Sequence, residues 1–194
     1  MPVRSSPKNQ TPPHSVRIIG GQWRRTPLPV PSKEGLRPTP ARVRETLFNW
    51  LGQRLEGWRV LDAFAGSGAL GLEAASRGAA SVLLVERDAR LAASLRATAA
   101  RLAAKNVRVH CGDGIAALAT ATALDLALLD PPFEAVSAGV FDAALLAAAA
   151  AVKPGGFIYV EAPLPWPPAH GLRLHRHLHA GAVHAHLLVR GERT

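Results

Sequence analysis

The 194-residue sequence predicts an α/β protein: a doubly wound, mostly parallel seven-stranded sheet ending in a C-terminal antiparallel hairpin, with a small N-terminal hairpin-helix extension. Three observations carry that expectation. From residue 59 onward, short apolar runs alternate with Ala-rich stretches of helical length, as in a parallel sheet covered on both faces. Residues 172–190, LRLHRHLHAGAVHAHLLVR, alternate with a period of two around Ala180-Gly181, as the arms of an antiparallel hairpin do. Residues before 59 follow neither pattern and read as an extension.

Taken in order, residues 1–14 are polar and proline-rich and are expected to be a disordered tail. The stretch VRIIGGQWRRTPLPVP places apolar residues around a Gly-Gly step, the pattern of a small hairpin. In LRPTPARVRETLFNWLGQRL, Thr39 can cap a helix with Pro40 at its first position, and Val43, Leu47 and Trp50 share one face. Residues 15–57 are thus a basic hairpin and helix, and residues 58–194 the main domain. RVLDAF, SVLLVER, VRVHCGD, LDLALLD and GFIYVEA read as five strands, and the segments after the first four as crossover helices.

The formal charge of +9 is one-sided. Residues 1–59 hold eleven Lys/Arg against Glu34, Glu45 and Glu56, a net +8, which leaves +1 for the rest. Such an excess suits a polyanionic partner, with Arg24, Arg25, Arg37, Arg42 and Arg44 as the expected phosphate contacts. One cysteine, Cys111, excludes an intramolecular disulfide. The N-terminus lacks the apolar core of a signal peptide and no run is long enough to span a membrane, so a soluble cytoplasmic protein is expected.

The chemistry gathers where strands should end. DAFAGSGALGLEA carries Gly66, Gly68 and Gly71 in G-x-G-x-x-G spacing, and Glu86 closes the next strand twenty residues after Gly66. Glycines let a backbone turn sharply against a ligand, and the acid can accept ribose hydroxyls. Dinucleotide enzymes share that pattern. Asp62, inside the strand four residues before Gly66, favours S-adenosylmethionine, because a carboxylate there can hold an ammonium group. Asp113, at the end of the third strand, can accept from an adenine amine or cap the following helix. Phe64, Ser67, Arg87 and Gly114 complete the expected cofactor-binding set.

The fourth strand ends in Asp130-Pro131-Pro132-Phe133. D-P-P-F resembles the [DN]-P-P-[FYW] motif of methyltransferases acting on exocyclic amines of nucleobases. An aromatic amine nitrogen is a poor nucleophile, and a carboxylate plus a backbone carbonyl, each accepting one N–H, would turn its lone pair toward a methyl donor. Proline stiffens that turn, and a ring can stack on the base. The four residues are the expected catalytic set.

Beyond that motif, RIIGGQWR, GLRPTPARVRETLFNWL, LDAFAGSGALGLEA, VERD, DPPF and YVE together resemble the RsmD type of bacterial 16S rRNA guanine-N2 methyltransferases, in order and at the family's spacing. The resemblance implies a Rossmann-like methyltransferase sheet, S-adenosylmethionine as cofactor, and transfer to the 2-amino group of one guanine of 16S rRNA, naked or in a small ribosomal subunit. Pro40-Ala41 stand where the family usually has Thr-Asp, which removes any contact made by that acid. A DNA amino-methyltransferase would need a target-recognition region for which the chain has no room, and a C5-cytosine enzyme a cysteine elsewhere than Cys111. A nicotinamide oxidoreductase leaves D-P-P-F unused; a non-catalytic RNA-binding protein leaves the glycine loop unused. Six histidines, His170, His175, His177, His179, His184 and His186, crowd the last segment; no cysteine or carboxylate accompanies them, and no metal is assigned.

Overall fold

The computed structural model describes residues 15–30, 39–131, 138–165 and 169–191. The tail 1–14 and the expected site residues Arg37, Pro132 and Phe133 lie outside them.

Two three-residue strands, β1 (Ser15–Arg17) and β2 (Pro27–Pro29), pair antiparallel, and α1 spans Ala41–Trp50. There follow β3 (Arg59–Asp62), α2 (Ala69–Ser76), β4 (Ser81–Glu86), α3 (Ala89–Arg101), β5 (Val107–Cys111), α4 (Gly114–Thr120), β6 (Leu124–Leu129), α5 (Ala138–Ala151), β7 (Val152–Ala162), β8 (Leu172–Ala180) and β9 (Val183–Arg190). The sheet order is β5-β4-β3-β6-β7-β9-β8. The first five strands are parallel; β9 enters antiparallel beside β7, and β8 forms the edge. Both the seven strands and the closing hairpin match the sequence expectation.

Alternation along each strand sorts side chains between two cores. Val60, Leu126, Leu128, Tyr159 and Leu187 pack with Leu47 and Phe48 of α1 and Leu72 of α2. Leu61, Ala127, Leu129, Ile158 and Val160 face Leu118 of α4 and Phe141 and Leu145 of α5. Ile18, Leu28 and Val43 lie in the first of these cores, so the extension is packed onto the sheet.

Two local expectations are corrected and one is extended. Thr39 does not cap α1: Pro40 holds the cap position with no side-chain bond, and the Thr39 hydroxyl points elsewhere. The Gly-Gly step lies in the loop of the expected hairpin and also anchors it, the Ile19 and Gly20 N–H groups donating to the Glu73 carboxylate at 2.7 Å each. Gly21 lies at φ +73°, where an added Cβ would fall 1.9 Å from the Ser76 carbonyl, so only glycine fits. Arg44 is no phosphate contact. It is 2% exposed, donates to the carbonyls of Thr39 and Arg17, and sits 3.6 Å from Glu73, because its place on the buried face of α1 turns it inward.

Candidate active site

The order reverses between β3 and β6, and there the expected residues converge at the carboxyl ends of the strands. Asp62 ends β3 and Asp130 follows β6. Leu61 pairs with Ala127 and Leu129 with Val160, so Asp62, Asp130 and Glu161 lie on one face of three neighbouring strands.

Asp62 is 1% exposed. Its Oδ2 accepts from the Gly71 N–H at 3.0 Å, which ties the strand to the first turn of α2. Its Oδ1 is buried and has no hydrogen-bond partner among the described residues, although the Phe64 N–H is near enough to favour its charge. Lost hydration and the neighbouring Asp130 charge push the carboxyl up to about 7. A buried carboxylate oxygen without a donor is what an ammonium group would complete. Gly71 fits this arrangement and little else would, since a Cβ there would meet Leu84 Cδ2 at 2.2 Å and Asp62 Oδ2 at 3.0 Å.

The glycine loop is held from below by β4. Gly66 N–H donates to Glu86 Oε2 at 2.9 Å and Asp88 N–H to Oε1 at 2.8 Å, so Glu86 shapes the loop as well as closing its strand. Phe64, Ser67 and Glu86 are half-buried along this edge, while Gly68 occupies the left-handed region at the start of α2. Gly114 lets α4 approach closely, its missing Cβ leaving the Ala63 carbonyl unobstructed. Asp113 takes the second of its two predicted roles: Oδ1 caps α4 through the Ala116 N–H at 2.9 Å, and Oδ2 receives Arg87 Nη2 at 2.8 Å. The cap and Arg87 hold its carboxyl below the usual range.

Asp130, partly exposed, accepts from the Thr39 hydroxyl at 3.0 Å through Oδ2, and desolvation raises its carboxyl to about 6. Pro131 is buried beside it. Glu161 had no predicted role. It is 2% exposed, takes the Tyr159 hydroxyl at 2.8 Å, and rises to about 8 through burial and the Asp130 charge. Its YVE segment is one of those that resemble the family, but only the β6–β7 register brings Glu161 beside Asp130. Glu73, buried among Arg44, Arg77 and two backbone N–H groups, has no local signal for the same reason: its N–H partners lie more than fifty residues away in the hairpin and Arg44 reaches it from α1.

Of the expected basic contacts, Arg42 is exposed in the first turn of α1, near Thr39. Arg24 and Arg25 are exposed in the hairpin loop, whose Gln22 and Trp23 N–H groups bind Ser76 at the far end of α2. A cleft of about 770 Å3 there, lined by Gly20, Arg24, Asn49, Arg54 and Ser76 among others, contains none of the strand-end carboxylates. His177 and His179 of β8 stack on His184 and His186 of β9, while His175 lies against Phe157; His170 does have a carboxylate, Asp142 Oδ1 at 3.0 Å. Among the described residues no group of three or more ligand side chains could hold a metal.

The family described as Conserved hypothetical protein 95 matches residues 16–189. The chain belongs to that family. These RsmD-type proteins are the ones its motifs resemble. Ribosomal RNA small subunit methyltransferase D of Escherichia coli is 51% identical over 119 residues, covering 61% of this chain and 60% of the relative. The protein of the same name from Haemophilus influenzae is 40% identical over 175 residues, 79% of this chain and 83% of that one. The match thus spans about three-fifths of the Escherichia coli relative's length. Among solved structures, the Escherichia coli candidate methyltransferase yhhF superposes with a TM-score of 0.82 at 40% identity, over 93% of this chain and all of that one. A candidate methylase from Haemophilus influenzae gives 0.77 at 31% identity, over 92% and 100%.

Proposed function

We propose that the chain is an S-adenosylmethionine-dependent methyltransferase acting on the 2-amino group of a guanine in small-subunit rRNA, guanine 966 of 16S rRNA in the numbering of its family. The observation that carries it is Asp130, set by β6 beside the Asp62 and Glu86 edge and aligned by Thr39. Residues 15–57 are then an RNA-facing extension and residues 58–194 the cofactor-binding domain.

Bound S-adenosylmethionine supplies an electrophilic methyl on a sulfonium. The Asp62 carboxylate, with its free oxygen, suits the ammonium group, and the lone pairs left on Glu86 suit the ribose hydroxyls. Gly66, Ser67 and Gly68 leave room for the ligand backbone, with Phe64, Arg87, Asp113 and Gly114 along the adenine side. Asp130 would accept one N–H of the guanine amine and a carbonyl of the D-P-P-F segment the other, so that the nitrogen lone pair faces the methyl donor; the resemblance assigns stacking on the base to Phe133. Placing nucleophile and electrophile in line is the main source of rate. Asp130 would then take the extra proton of the methylated amine and pass it to solvent, the sulfonium supplying the methyl and keeping the C–S electron pair.

The test is to incubate the protein and labelled S-adenosylmethionine with small subunits lacking the modification and to map the label. One labelled guanine, with Asp130→Ala inactive and cofactor affinity within a few fold by calorimetry, supports the reading. Losing one aligned acceptor is worth on the order of 3 kcal/mol. Near-normal turnover by Asp130→Ala would sink it.

A further inference from the structure

Asp130 and Glu161 are the next residues in the register that pairs Leu129 with Val160. Neighbouring strands lie about 4.8 Å apart, so the two carboxyl groups stand side by side on one face. Two such groups do not both carry charge at low cost, and one proton is shared between them. Burial decides which keeps it. Tyr159 gives its only hydroxyl proton to Glu161 and Thr39 gives its only proton to Asp130, so each carboxyl has one donor. Glu161 is 2% exposed while Asp130 is partly exposed, so the loss of hydration falls harder on a charge at Glu161.

We propose that Glu161 stands as a neutral acid beside Asp130, held by the Tyr159 hydroxyl, so that Asp130 stays ionised and keeps the Thr39 bond that turns it for the guanine amine. Glu161 is thus a positioning residue, and this assignment rests on the proposed methyl transfer only for its catalytic consequence. The groups facing Glu161 are Tyr159 on its own strand, Asp130 on β6, and Thr39 and Arg44 of the α1 segment; Ala185 opposes it on β9. Tyr159, Thr39 and Arg44 favour the charged form, but burial and the Asp130 charge outweigh them, and the Arg44 guanidinium is committed to Glu73 and two carbonyls. The directions agree: the pair titrates near 6 and near 8, with the higher value on the more deeply buried Glu161.

Infrared spectra of the protein without cofactor or RNA read the proton directly. In an Asp62→Asn background, which removes the other carboxyl titrating near neutral pH, a buried carboxylic-acid carbonyl band should be present at pH 7, fade as pH rises through about 8, and be missing once Glu161→Gln is added. In Asp130→Asn, where the repelling charge is gone, its midpoint should fall. Methyl transfer to small subunits at saturating cofactor then reads the consequence: wild-type rate should rise through pH 6 and decline through pH 8. Glu161→Gln, neutral at every pH and still able to accept from Tyr159, should restore the neutral-pH rate that Glu161→Ala loses by tenfold or more, and should abolish the alkaline decline. Absence of the carbonyl band at pH 7, or an alkaline decline that survives in Glu161→Gln, overturns the proposal. If the band behaves as stated and the wild type methylates no rRNA, the proton assignment stands and the functional reading falls.

Discussion

The Thr39 hydroxyl donates to Asp130 Oδ2 at 3.0 Å across ninety-one positions of sequence. This single bond joins the N-terminal extension to the end of β6. It explains why Pro40 rather than Thr39 holds the cap of α1: the hydroxyl is spent on the carboxylate. The Pro40-Ala41 departure from the family's usual Thr-Asp therefore leaves the contact from Thr39 intact.

Thr39→Val keeps the shape and removes the donor. A hydrogen bond to a charged acceptor contributes about 1.5–3 kcal/mol. We expect turnover to fall by one to two decades while calorimetric cofactor affinity stays within a few fold, because Asp62 and Glu86 are untouched. Unchanged turnover would mean that Asp130 needs no second support.

With Asp62 holding the ammonium group, as proposed, cofactor affinity should depend on pH. The free protein's carboxyl titrates near 7, and the ammonium group pairs only with its ionised form, so affinity should weaken as pH falls through 7 and binding should release protons below it. For folding the sign is opposite. A carboxyl raised from 3.8 to about 7 binds more protons folded than unfolded, so its contribution is fully present below about 4 and lost as pH rises through 7. Three units at 1.36 kcal/mol each put that loss at up to about 4 kcal/mol. Asp62→Asn, which retains an acceptor for Gly71 N–H, should raise the melting temperature of the ligand-free protein at pH 8 and abolish the pH dependence of binding. A variant that melts lower, yet binds with the wild-type pH profile, contradicts both halves.

Glu73 is a third buried acid beside Asp62 and Glu161, and its work is structural. It satisfies the Ile19 and Gly20 N–H groups, accepts from Arg77 Nε at 2.9 Å and balances Arg44. Glu73→Gln puts an amide among donors and leaves two buried guanidinium groups unbalanced. Breaking a buried pair from one side is worth about 3–5 kcal/mol. We expect a large drop in the urea midpoint and faster proteolysis within residues 15–30. Glu56→Gln, which breaks the exposed pair with Arg54, should change neither.

The sheet was legible because each strand's apolar run and each helix's alanine content are local properties, and so was the β8–β9 hairpin, where His177 pairs with His186 and His179 with His184. Asp62, Gly66, Gly71, Glu86 and Asp130 were legible because their chemistry is unusual for their positions. What the sequence did not reveal depends on who sits next to whom. The hydroxyl of Thr39 could equally have capped its helix. Arg44 looked like its exposed neighbour Arg42 until the face of α1 was fixed by Leu47 and Phe48. Glu161 became interpretable only when β6 and β7 were seen as neighbours in register.

The exposed arginines give the last prediction. Arg42 lies one helical turn from Thr39, whereas Arg24 and Arg25 sit in the loop bound to Ser76, at the opposite end of α2 from the glycine loop. Eight residues of helix are about 12 Å long, so RNA that touches both regions must extend at least that far beyond the target base. Each lost phosphate contact should flatten the slope of log affinity against log salt by roughly 0.7–0.9. The Arg24→Ala, Arg25→Ala double variant should lose affinity and slope in anisotropy titrations while turnover at saturating RNA is kept, since nothing near Asp130 changes. Arg42→Ala should lose slope and turnover together, because it borders the Thr39 contact. If the double variant keeps both slope and affinity while Arg42→Ala loses them, RNA follows the strand ends alone and the hairpin's charge only solvates it.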